Sequence, residues 1–184
     1  MIRIENIKDE MNVYVSGIMD DAICSEISNS IKLGAAAGTK TVLMHINSYG
    51  GSVSGAWDII STIKNAGLKF KAINEGFAIS AASILLASAD ESQAFDYSTS
   101  MIHDPLLGGT TLEKTTGSAR ELLTAIKDGI MTVLNNRLKM PIEQLSNLLK
   151  KETSWNAQEQ LSFGLVDSII TTSSKPQFLS LIHI

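Results

Sequence analysis

A serine in EGFAISAAS (residues 75–83) and a histidine in MIHDPLLGG (residues 101–109) are the side chains of this sequence best placed to do covalent chemistry. The first segment reads as a strand turning into a small-residue helix. A serine at such a turn presents its hydroxyl at the carboxyl edge of a sheet, where open α/β folds bind ligands. It also lies beside the free N–H groups of a helix start, which are suited to holding an oxyanion. Ser80 sits at that position, with Ala78, Ala81 and Ala82 leaving room around it. The competing reading of Ser80 is a plain helix N-cap. Ser83 is a rival nucleophile, but it falls one turn deeper and reads as a packed helix residue.

A serine nucleophile needs a base. Of the three histidines, His183 lies in the tail, and His45 is embedded in the apolar run TVLMHI (41–46), where a packed or edge role fits better. His103 ends a strand ahead of Asp104-Pro105, which places it at the rim of a cleft. The base in turn needs an acceptor that fixes its tautomer and stabilises the imidazolium. Asp104, Glu152 and Asp167 are the candidates. Asp104 adjoins His103, and neighbours in extended chain point apart. Glu152 lies in KKETSWNAQ (150–158), read as a loop ahead of a helix. A second oxyanion donor is available in INSYGGSVSG (46–55), where Gly51 can offer a main-chain N–H beside that of Ala81. The same glycine pair also fits an ordinary strand-to-helix loop. It does not fit a phosphate loop, because no GxGxxG or GxxxxGK[ST] is present.

These groups must be held by elements, and the apolar pattern supplies them. NVYVSG (12–17) reads as a strand. Residues 21–37 read as a helix capped by Asp20 or Asp21, with Ile23, Ile27 and Ile31 on one face. TVLMHI reads as a doubly buried strand, followed by a turn at 47–51 and a helix over 52–66 that Gly67 stops. A strand at 70–74, a glycine turn opening a helix over 76–89, and two short strands within 92–103 come next. A long helix over 112–138, helices near 142–150 and 157–163, and a strand at 165–170 complete the chain. The alternation implies an α/β fold of right-handed βαβ units. Residues 1–170 read as one domain, and SSKPQFLSLIHI ends a tail (171–184) read as a flexible extension or a cloning artefact.

Composition narrows the function. A length of 184 residues with 44% hydrophobic and 18% charged residues describes a chain able to bury a real core. A net charge of −4 gives no basic surplus for nucleic acid. No apolar run is long enough to span a membrane, and the charged N-terminus does not read as a signal peptide. The lone Cys24 allows no internal disulfide; it reads as a small buried hydrophobe, and the expected compartment is the reducing cytoplasm.

In order and spacing, VYVSGIMDD, INSYGGSVSGAWDIISTI, GFAISAASILLASA, MIHDPLLGG and NAQEQLSFGLVDSI resemble the ClpP family of serine peptidases. The resemblance runs from about Val13 to Ile170. It implies a ClpP/crotonase-like fold with a long protruding helix, assembled into homo-oligomeric rings of the heptameric or tetradecameric kind. It implies Ser80 as nucleophile, His103 as base, and the N–H groups of Gly51 and Ala81 as oxyanion hole. It implies polypeptide substrates and requires neither cofactor nor metal. Glu152 falls where the family usually carries aspartate, five residues before Ala157, and is matched to the third triad position. Tyr49 stands where the family usually has proline. The short segment ahead of the first strand resembles the phage- or prophage-encoded branch, associated with head maturation and scaffold or capsid processing, with action inside a prohead and without the axial loops that serve an ATPase unfoldase. Two other readings compete: a crotonase-type acyl-CoA enzyme sharing the fold, and a catalytically inactive ring of structural purpose.

Overall fold

A computed structural model describes residues 2–171; the expected tail beyond Thr171, with His183, lies outside the described residues. The chain opens with a hairpin, β1 (Ile2–Ile7) and β2 (Glu10–Met19), followed by α1 (Asp21–Ala36), β3 (Thr41–Gly51), α2 (Val53–Asn65) and β4 (Lys69–Ile79). Then come α3 (Ala81–Ser88), β5 (Glu91–Phe95), β6 (Thr99–Ile102), a small hairpin of β7 (Leu106–Leu107) and β8 (Thr110–Thr111), and a 3-10 turn at Leu112–Lys114. The long helix α4 (Gly117–Arg137), α5 (Ile142–Lys150), β9 (Thr153–Asn156), α6 (Ala157–Ser162) and β10 (Ser168–Ile170) follow.

The main sheet runs β1-β2-β3-β4-β5-β10, parallel throughout except for the antiparallel edge strand β1. This is the α/β architecture expected from the alternating pattern. The helix starts follow local chemistry. Asp20 accepts from the Ile23 N–H at 2.8 Å to cap α1, and Ser52 accepts from Gly55 at 2.9 Å to cap α2. The two helices approach closely where Gly55 meets Cys24: a Cβ on Gly55 would lie 2.5 Å from the Cys24 sulfur. Burial, followed by the nearby carboxylates of Asp21, Asp20 and Asp58, pushes the Cys24 thiol up to about 11, so it stays a neutral core residue.

Four sequence expectations require correction, the first being that the loop read over 150–158 contains strand β9, Thr153–Asn156, paired with β6. The predicted turn at 47–51 is strand: β3 continues to Gly51. The helix expected from Gly76 begins at Ala81, because β4 continues through Ile79. The long helix begins at Gly117, the residues before it forming the 3-10 turn and its link.

The architecture turns on how β4 is shared. Its first half, Lys71–Asn74, pairs with β5, and its second half, Phe77–Ile79, pairs with β6. Strand β6 therefore ends beside β4, and β9 covers its other edge antiparallel. Buried amides hold this branch point. Asn74 Nδ2 donates to Gln160 Oε1 at 3.1 Å, and Gln160 Nε2 donates to the carbonyls of Ser98 and Trp155.

The C-terminal end of α4 is tied to the sheet by Arg137, which donates to the Leu165 carbonyl, to Ser92 Oγ and, at 2.8 Å, to Asp167 Oδ2. Partial burial alone would raise the Asp167 carboxyl. The Arg137 guanidinium and the Ser92 N–H outweigh it and hold the group below its ordinary 3.8. A carboxyl depressed in the folded state adds stability above its unfolded value and loses it as pH falls through the folded value. Thermal melts of wild type and Arg137→Met should therefore differ most above pH 4. The gap should shrink on acidification below that value. A gap independent of pH would show that the pair contributes no charge linkage.

Candidate active site

Strand β4 and strand β6 run parallel with Ile79 paired to Met101. Residues leaving the two strands therefore emerge side by side: Ser80 from one, His103 from the other. The link is direct at the main chain, where the Ser80 N–H donates to the Met101 carbonyl at 2.9 Å.

Ser80 occupies the N-cap position of α3, yet its hydroxyl caps nothing. Its backbone sits at φ 57, ψ −124, a region that a side-chain-bearing residue enters at a cost of about 1–3 kcal/mol. The N-cap reading of Ser80 thus fails on its own geometry. The residue is held in a strained elbow with its hydroxyl unused by any hydrogen bond among the described residues. Ser83 is spent differently, its Oγ donating to the Ser80 carbonyl at 2.6 Å. Ala81 is the first residue of α3, so the helix does not consume its N–H.

Ser80, His103 and Gly51 line one cleft of about 280 Å³, whose walls include Ile18, Ile79, Ile84, Ile102, Leu134 and Leu149. Exposed Tyr49 stands at its mouth and stacks on Phe77 with centroids 5.4 Å apart. Gly50, read in the sequence only as a turn residue, has a structural reason of its own. A Cβ there would lie 2.4 Å from the Ile79 carbonyl oxygen, 2.8 Å from Ser80 Cβ and 2.9 Å from the Ala81 nitrogen. Only glycine lets the end of β3 rest against the elbow.

The three candidate acids are dispersed. Asp167 belongs to the Arg137 tie. Glu152 follows α5 at φ 51, and continuing the β6–β9 register one step past Ile102–Thr153 sets its backbone opposite His103. It lines a small neighbouring pocket with Asp104, Glu113 and Lys150 rather than the cleft of Ser80. His103 Nδ1 lies 2.6 Å from the carbonyl oxygen of Asp104. The Asp104 carboxylate turns the other way, to Lys127 of α4, whose Nζ is 2.7 Å from Oδ1 and 2.9 Å from Oδ2. Lys127 is a residue that sequence reading missed; on an apolar helix face its only signal was position.

His45 is accounted for elsewhere. It is buried, with Nδ1 2.6 Å from Glu75 Oε1, Nε2 3.1 Å from Asn12 Oδ1, and its ring stacked on Tyr14. Among the described residues no cluster of potential metal ligands occurs, and no helix is long and apolar enough to cross a membrane.

Residues 2–173 match the family model for Clp protease. The ATP-dependent Clp protease proteolytic subunit of Streptococcus thermophilus, in each of three strains, is 28% identical over 171 residues, covering 91% of this chain and 87% of the relative. With the match spanning nearly the whole described chain, the protein belongs to the Clp protease family, a family of serine peptidases.

Proposed function

We propose that this chain is an endopeptidase that cleaves polypeptides through an acyl-enzyme on Ser80. The observation that carries the reading is the strained, uncapped Ser80 elbow opening into the cleft that His103 also lines. His103 takes the Ser80 proton as Oγ attacks the peptide carbonyl. The N–H groups of Gly51 and Ala81 receive the oxyanion, and the protonated imidazole returns its proton to the leaving amine. Water, deprotonated by the same imidazole, then releases the acyl group. The apolar walls favour an apolar side chain next to the scissile bond.

Residues 1–170 act as one domain, and the working form is a homo-oligomeric ring, heptameric or paired into a tetradecamer, in the cytoplasm or a phage prohead. Scaffold or capsid protein is the proposed natural substrate. The curated relatives are named as ATP-dependent; for this chain, assistance by an ATPase unfoldase stands as an alternative to ATP-independent cleavage.

A fluorophosphonate probe tests the hydrolase reading. It should add a single phosphonyl group per chain, displacing fluoride, and peptide mapping should place the adduct on Ser80. A sizing column run on the same sample should return the ring. A full-sized ring that never labels would favour the non-catalytic, structural role. Labelling at Ser83 would move the nucleophile.

A further inference from the structure

The imidazole of His103 is oriented through the main chain. Its Nδ1 and the Asp104 carbonyl oxygen are 2.6 Å apart. Two lone pairs facing each other at that distance would repel, so Nδ1 carries the hydrogen and donates it. That choice leaves Nε2 bare, the tautomer required to accept a proton from Ser80. The acceptor is a peptide carbonyl, so what matters is how firmly that peptide is held.

Asp104 is held on three sides. Its N–H donates to the Leu149 carbonyl of α5 at 3.1 Å. Its following residue is Pro105, whose ring restricts the backbone of the residue before it. Its carboxylate is gripped by Lys127, with both side chains largely buried, 11% exposed for the lysine and 18% for the aspartate. A lysine drawn this far from water needs its partner: Lys127 donates to Oδ2 at 2.9 Å, and its charge is the one compensation for the buried Oδ1, which accepts no hydrogen bond among the described residues, so the pair holds the carboxylate and with it the peptide it belongs to.

We propose that Lys127 and Asp104 are positioning residues for the base. The ion pair fixes the Asp104 carbonyl, and the carbonyl, rather than the Glu152 carboxylate, sets the His103 tautomer. This rests on His103 being the base of Ser80. The arrangement gives the resting imidazole its orientation without a buried anion against the ring.

The test compares fluorophosphonate labelling rates of the oligomeric protein. Lys127→Met alone leaves a buried carboxylate unpaired and is open to misfolding, so the informative variant is the pair Asp104→Asn with Lys127→Met, which removes both charges together. It should keep its thermal midpoint and oligomer size. It should label on the order of 10-fold more slowly at saturating probe, with little change in the probe concentration for half-maximal rate. Lys127→Arg should recover most of the rate. Glu152→Gln should lose less than the paired variant. A paired variant labelling at the wild-type rate overturns the proposal, as does Glu152→Gln losing as much or more. A wild type that never labels overturns the hydrolase reading, and this proposal with it.

Discussion

Ser80→Ala and His103→Ala each reduce peptide hydrolysis by about 10⁴- to 10⁶-fold, and the double variant is no slower than the worse single one. The reason for the missing additivity is that the hydroxyl without its base is a poor nucleophile, and the base without the hydroxyl has nothing to activate. Substrate affinity changes little, because the apolar walls of the cleft belong to other residues. Stability separates loss of chemistry from loss of fold. Alanine keeps the unfavourable backbone at φ 57, whereas Ser80→Gly relieves it and should raise stability by about 1 kcal/mol while remaining inactive. Hydrolysis of a fluorogenic peptide and a thermal melt of each variant check both halves. Ser80→Ala with wild-type turnover would place the chemistry elsewhere.

Much of this site is legible in the sequence, and the limits have physical causes. The strand-to-helix turn at Ser80 and the strand end at His103 are local features, and local pattern reports them. The cap at Asp20 is legible for the same reason. Gly76 and the Gly50-Gly51 pair mislead because glycine has two uses: it permits turns, and it permits close approach. Here Gly76 serves the second. A Cβ on it would lie 2.7 Å from Asn47 Oδ1, the same oxygen that accepts from the Phe77 N–H. Strand β1 escapes notice because only Ile2 and Ile4 of its charged sequence lean on the core. Strand β9 is short and contributes one buried side chain, Trp155. The division of β4 between β5 and β6, which puts His103 beside Ser80, depends on pairings between residues distant in the chain and leaves no periodic trace. The Lys127–Asp104 contact is invisible for the same reason: a lysine on a helix reads as solvated until the partner across the fold is known.

Gly50→Ala should be among the most damaging single substitutions outside the reacting groups. The added methyl would meet the Ile79 carbonyl oxygen at 2.4 Å, and the residue would also have to sustain φ +81. Backbone oxygen cannot swing aside as a flexible side chain can, so either the end of β3 or the elbow must move. The expected cost is about 2–4 kcal/mol of stability, combining steric overlap and backbone strain. Movement of the elbow shifts Ser80 Oγ and the Ala81 N–H together, and loss of a single oxyanion donor alone slows acyl transfer by about 10²–10³-fold. Hydrolysis should therefore fall at least about 100-fold even at temperatures where the variant is fully folded. Gly67→Ala is the matched control: it has φ +66 but nothing within 4 Å of the added carbon. That variant should lose about 1 kcal/mol and keep its activity. Equal activity in the two variants would mean that the contact between β3 and the Ser80 elbow is not what sets the geometry of the site.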